Sequence, residues 1–153
     1  MKIKDCSSII SEKVNCSEFD TLHYISTENM LPNLGGIVPS ERVPSGQATA
    51  FRQNDILLSN IRPYFRKLYF SEIKGGCSND VICLRPSKNK VLPRYLYYAL
   101  SSEKFFSYYV TNCKGTKMPR GDKSALLNYI LPQYSFNQQQ HIVDVRRTHY
   151  DQM

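Results

Sequence analysis

Turn-forming residues break up every apolar run in the first 92 residues, which restricts this stretch to short strands. Ile3 to Ile10 is read as a short helical turn leading into a strand near Ile9–Val14. Leu22-His23-Tyr24-Ile25 follows as a strand that ends in the polar run Ser26-Thr27-Glu28-Asn29. Leu31 to Gly46 is loop-rich, with Pro32, Gly35-Gly36, Pro39 and Pro44. Three clearer strands come next: Asp55-Ile56-Leu57-Leu58-Ser59, Lys67-Leu68-Tyr69-Phe70 and Val81-Ile82-Cys83-Leu84, the last stopped by Arg85-Pro86. Gly75-Gly76 marks a turn between the second and third, so those two are predicted to pair.

The pattern then changes to a helical one. Pro93 suits a first helical position, and Leu96, Ala99, Leu100, Phe106, Tyr109 and Val110 fall near helical spacing, with Gly115 just past the predicted end. A short helix is predicted over Asp122–Leu127 with Asp122 as its cap, and Tyr129-Ile130-Leu131 reads as a final strand stopped by Pro132. Ser135-Phe136-Asn137-Gln138 has the form of a capping box and opens a last helix of about ten residues. Strands first and helices after predict an α+β domain. At 153 residues, with no repeat, low-complexity tract or long linker, the chain has the size of one ordinary domain.

Lys plus Arg outnumber Asp plus Glu by 20 to 13, a formal charge of +7 that favours an acidic partner. The start lacks the apolar run of a secretory signal, and no stretch approaches a membrane span. Cys6, Cys16, Cys77, Cys83 and Cys113 are odd in number and contain no C-x-x-C pair, which predicts reduced, partly buried thiols in a cytoplasmic protein. His23, His141 and His149 are scattered and suggest no metal cluster, and no glycine-rich phosphate loop follows a strand.

The pieces fall in a distinctive order along the chain. A polar loop follows Tyr24-Ile25, and a strand leads into Asn60-Ile61-Arg62-Pro63-Tyr64. Another strand ends Leu84-Arg85-Pro86, and Pro93-Arg94-Tyr95-Leu96 opens a helix. Gly115-Thr116-Lys117 comes next, then Ile130-Leu131-Pro132 before Gln138-Gln139-Gln140-His141-Ile142-Val143. This ordered set resembles the DNA specificity subunit of type I restriction-modification systems, from about Tyr24 to Asp144. It implies a target-recognition domain: a curled, mostly antiparallel sheet with about three helices that presents loops to duplex DNA. It assigns 1–134 to that domain and 135–153 to a truncated start of the spacer helix. Full-length subunits of the family carry two recognition domains separated by long paired helices, so the chain corresponds to at most half a subunit. The resemblance also implies no catalysis and no cofactor in this chain. A partner modification subunit methylates adenine using S-adenosylmethionine, a restriction subunit cuts, and a homodimer is a further possible assembly.

Candidate DNA contacts follow from side-chain chemistry. Arg62 can donate two hydrogen bonds to guanine, and Asn60 or Asn29 can pair with adenine. Glu28 can accept from cytosine, and Tyr64, Arg66 and Lys67 extend the Arg62 segment. Alternatively Arg62 pairs with a local carboxylate, Asn60 caps a turn, and Phe65 belongs to the core. A second segment holds Lys114, Thr116, Lys117, Arg120 and Lys123, with Gly115 and Gly121 permitting close approach to phosphate. An ordinary solvated connection has the same composition. Arg42 and Arg52 flank another loop within reach of phosphates or free at the surface. Two other functions stay open on the residues alone. One is an RNA- or single-strand-binding module using the tyrosines. The other is a magnesium-dependent nuclease using Asp55, Glu72 and Lys74.

Overall fold

Ile56-Leu57-Leu58 is apolar without alternation because both faces of this strand are covered, as the computed structural model, which describes residues 1–151, makes plain. In chain order the elements are α1 (Ile3–Cys6), β1 (Ser7–Ile9), β2 (Lys13–Asn15), β3 (Tyr24–Ile25), β4 (Gln47–Phe51), β5 (Ile56–Ser59), β6 (Leu68–Phe70), β7 (Gly75–Cys77) and β8 (Val81–Pro86). The helices α2 (Pro93–Leu100), α3 (Glu103–Thr111), α4 (Lys123–Asn128) and α5 (Phe136–Asp151) follow. One sheet runs β1-β8-β5-β6, wholly antiparallel. The other runs β2-β4-β7-β3, with β3 and β7 parallel.

The first sheet is the middle of three layers. Ile56, Leu58, Leu68, Phe70, Ile82 and Leu84 face the helices and meet Leu96, Leu100, Phe105 and Phe106. Leu57, Val81 and Cys83 point the other way, against Ile25, Met30, Phe51 and Cys77 of the second sheet and its loop. Each such side chain contributes about 1.5–3 kcal/mol by leaving water. Four of the five cysteines are buried and Cys113 is partly so, all as free thiols. Among the described residues, no helix is long and apolar enough to cross a membrane.

The α+β class and the antiparallel bias agree with the sequence reading, and several details differ. There are two sheets, and five α-helices among the described residues. Gly75-Gly76 is not a turn joining β6 to β8. It forms β7 in the second sheet, while β6 and β8 both pair with β5 between them. Glycine is required there because a Cβ on Gly75 would lie 2.2 Å from the His23 carbonyl oxygen, and one on Gly76 would lie 2.5 Å from the Phe19 ring. The single long helix expected after Pro93 is two, divided at Ser101-Ser102, where the Ser102 hydroxyl accepts from the Phe105 N–H and so caps α3. Tyr129–Leu131 contributes one bridge, Lys2 to Ile130, in place of a full strand.

Asp122 caps α4 as expected, accepting from the Ser124 and Ala125 N–H groups. The capping box also forms, with Gln138 N–H donating to the Ser135 hydroxyl and Ser135 N–H to Gln138 Oε1. It opens a 16-residue helix, longer than the ten expected. Gln152 and Met153, the end of the proposed spacer segment, lie outside the described residues.

Candidate nucleic-acid interface

Three connections lie side by side at one end of the first sheet. The β5–β6 connection begins at Asn60, whose N–H donates to the Asp80 carbonyl oxygen at 2.8 Å and whose own carbonyl oxygen accepts from Gly121 N–H at 2.9 Å. Arg62 N–H donates to the Pro119 carbonyl oxygen at 2.8 Å, so the turn carrying Arg62 is tied directly to the loop carrying Lys117. Asn33 and Leu34 N–H groups donate to the carbonyl oxygens of Phe65 and Arg66, both at 2.9 Å, which brings in the loop after β3. Lys67 Nζ donates to the Thr27 carbonyl oxygen at 2.6 Å and ties that loop a second time.

The β5–β6 turn is rigid. Pro63 opens a single 3₁₀ turn, Pro63–Phe65, and is buried; Arg62 and Arg66 flank it in the left-handed region, at φ 46° and 53°. A non-glycine residue there costs about 1–3 kcal/mol, which the surrounding hydrogen bonds offset. Under the turn, Tyr109 of α3 is fully buried, and its hydroxyl donates towards the Ser59 carbonyl oxygen and Asn60 Oδ1, at 3.3 and 3.2 Å. Burial pushes this hydroxyl well above the ordinary tyrosine range, so it stays a donor.

The charge on this end is positive with acidic inclusions. Arg62 and Lys117 are exposed and stand in no ion pair among the described residues. Burial, and then the nearby Arg62 charge, hold the Lys67 ammonium below its usual range, while Glu28 opposes them. Arg120 pairs with Asp80 at 2.8 Å, and Lys114 with Asp122 at 3.5 Å. Beside the turn lies a polar cleft of about 460 Å³ lined by Ser26, Thr27, Glu28, Arg42, Ser78 and Asp80, among others.

The structure sorts the expected contacts. Arg62, Tyr64, Glu28, Lys114, Thr116, Lys117, Arg120 and Lys123 are exposed at or beside this end. Arg66 and Lys67 are half-buried and act inward: the Arg66 guanidinium lies 5.8 Å from the ring centre of Phe106, and Lys67 holds the Thr27 carbonyl. Two expectations are corrected. Asn29 is buried with its Oδ1 accepting from the Ser26 N–H and its Nδ2 donating to the carbonyl oxygens of Tyr24 and Val38, so it builds the loop and cannot pair with adenine. Asn60 is buried beneath the turn with its amide oxygen accepting from Tyr109, so its amide does not stand at the surface as an adenine reader.

Phe65, read as core, is 40% exposed. Gly121 is not kept free for phosphate, because a Cβ there would lie 2.1 Å from the Tyr109 hydroxyl oxygen. Asp80, the partner of Arg120, is not among the residues expected from sequence, although its place in the Ser78-Asn79-Asp80 turn before β8 is a signal for it.

The Asp55 carboxylate of the nuclease reading is already engaged within the fold. Asp55 precedes β5 at the end opposite Asn60, and its carboxylate is taken: Arg85 Nε donates to Oδ1 at 2.9 Å and Arg85 Nη2 to Oδ2 at 2.8 Å. Arg52 N–H also donates to Oδ2, at 2.8 Å. Glu72 and Lys74 are exposed on the β6–β7 connection.

A family model described as the type I restriction modification DNA specificity domain matches residues 2–152. Among solved structures, the HsdS subunit from Thermoanaerobacter tengcongensis superposes with a TM-score of 0.74 at 15% identity, over 99% of this chain and 42% of that one. The S subunit of a type I restriction-modification system from M. genitalium gives 0.65 at 16% identity, over 95% and 37%. A chain from a study of complex assembly and conformational transition of the type I R-M system gives 0.71 at 17% identity, over 99% and 38%. The chain thus spans about two-fifths of the length of these structures. No curated protein matches it by sequence.

Proposed function

The chain belongs to the type I restriction-modification DNA specificity family, and we propose that it recognises a short duplex sequence through the three loops around Arg62. The Arg62 N–H bond to Pro119 carries this reading, because it unites the two cationic segments on one surface. Arg62 reads a base edge, with Glu28 beside it on the neighbouring loop as a second candidate reader. Lys117, Lys123, Thr116 and, once released from Asp80 and Asp122, Arg120 and Lys114 hold phosphates and set the register. Tyr64 adds contact area, and Arg66 and Lys67 stiffen the turn that presents Arg62.

No step of catalysis is assigned to this chain; methylation and cleavage fall to modification and restriction subunits. Helix α5 is the start of the spacer that meets the modification subunit. Its first turns are anchored, with Gln139 buried and its Oε1 accepting from the Leu92 N–H, while residues 144–148 are exposed. The free thiols suit a cytoplasmic setting.

Selection from a random duplex pool tests this, followed by binding of variants to selected and unrelated duplexes. Arg62→Ala is expected to lose about 1–3 kcal/mol on the selected duplex and little on others. Lys117→Ala is expected to weaken all duplexes alike and flatten the log–log salt slope by about 0.9. Equal losses on both duplexes for Arg62→Ala contradict the base-reading role. Preference for single strands or RNA over duplex contradicts the whole reading.

A further inference from the structure

The 3₁₀ turn between β5 and β6 presents two aromatic rings that reading of base edges leaves without a task. Tyr64 is 48% and Phe65 40% exposed, and their ring centres stand 4.8 Å apart at 59°. Phe65 has no polar atom to offer a base edge and Tyr64 only one hydroxyl, whereas both rings can lie against base faces. Their setting argues for a nucleic-acid partner over a protein one. Arg62 precedes them in the chain, and Lys67 Nζ lies 5.6 Å from the Phe65 ring centre, so the apolar pair sits in a cationic setting.

The pair is also held in place. The left-handed Arg62 and Arg66, the buried Pro63 and the bonds from Asn33 and Leu34 fix the backbone on which the rings sit. A rigid support means that little conformational freedom remains to be lost when the rings are inserted.

We infer that Tyr64 and Phe65 form a wedge that enters a base step, unstacks it and bends the duplex. This rests on the duplex-binding reading above. Cations of the Lys117 loop take the phosphates beside the opened step, and the bend brings more backbone towards them. The wedge favours sequences whose steps open at least cost, pyrimidine–purine steps above all, so it adds selectivity at positions where no base edge is touched.

The test uses the full chain with a selected duplex that carries fluorophores at its two ends, and permanganate to report unstacked thymines. Wild type is expected to shorten the end-to-end distance and raise permanganate reactivity at one step. The exposed double variant Y64A/F65A is expected to keep its thermal midpoint and to leave the duplex straight and unreactive. Its affinity is expected to fall about ten- to a hundredfold, the loss of one or two stacked bases. A mismatch placed at the same step is expected to restore most of that loss, because the step is then already open. Wild type binding a straight, unreactive duplex overturns the wedge and leaves duplex recognition standing. So does a double variant that bends DNA as wild type does, including one whose only defect is assembly with a protein. Failure of wild type to bind any duplex overturns both.

Discussion

Replacing Asp55 with alanine separates a structural carboxylate from a catalytic one. Asp55 has 2% of its side chain exposed, Arg85 24%, and the two share a bidentate pair. Asp55→Ala leaves a largely buried guanidinium, the Arg52 N–H and the Cys83 thiol without their acceptor. Breaking a buried pair from one side costs about 3–5 kcal/mol. Water can reach the exposed quarter of Arg85, which places this case near the low end, about 3 kcal/mol. With a urea m-value of about 2 kcal/mol/M, the unfolding midpoint falls by about 1.5 M at unchanged slope. The melting midpoint falls by about 6–12 °C.

Asp55→Ala/Arg85→Leu is expected to recover much of the loss, because no unpaired charge remains. DNA binding per folded molecule is expected to be unchanged, since Asp55 sits at the other end of β5 from Asn60. A loss under about 1 kcal/mol refutes the structural assignment. So does a magnesium-dependent DNA cleavage that Asp55→Ala abolishes.

Gly121→Ala drives a methyl group into the buried Tyr109 and is expected to cost about 3 kcal/mol, within the range for overpacking a core, with weaker duplex binding as the loop shifts; chemical denaturation and a binding titration measure the two effects. Gly115→Ala places its Cβ in ordinary van der Waals contact, 3.4 Å from the Met118 carbonyl oxygen, so only the φ of +94° opposes it, and it is expected to cost about 1 kcal/mol in the same denaturation. Asn29→Ala strands the Tyr24 and Val38 carbonyls and the Ser26 N–H, and is expected to lower stability by about 2–3 kcal/mol and blunt discrimination at the base nearest Glu28. Ser135→Ala removes one half of an exposed capping box and is expected to cost about 0.5–1 kcal/mol, read as a loss of helicity in α5 by circular dichroism.

The strands that carry apolar runs were legible because burial on both faces writes itself as an unbroken run, as in Ile56-Leu57-Leu58. Caps were legible because Asp122 and Ser135 act on neighbours two or three residues away. The β7 strand was not, because Gly75-Gly76 is chosen for the approach of His23 and Phe19, distant groups that local turn chemistry cannot foresee. β4 escaped for a related reason: Gln47-Ala48-Thr49-Ala50 has weak apolar contrast, and only pairing with β2 and β7 makes it a strand. At the site, charge located the right loops but could not tell exposed readers from internal anchors. Arg62 and Arg66 look alike in sequence; the stacking of Arg66 over Phe106 distinguishes them. Asn29 and Asn60 have the chemistry of base readers, and the fold has used their amides for itself.

Backbone amide shifts of the labelled chain, titrated with a selected duplex, test the three-loop surface directly. The changes are expected to cluster at 26–42, 60–67 and 114–123, and to leave the cleft around Glu12, Glu18 and Lys74 and the exposed stretch of α5 unmoved. Changes centred on that cleft or on α5, with Arg62 and Lys117 silent, would contradict the account.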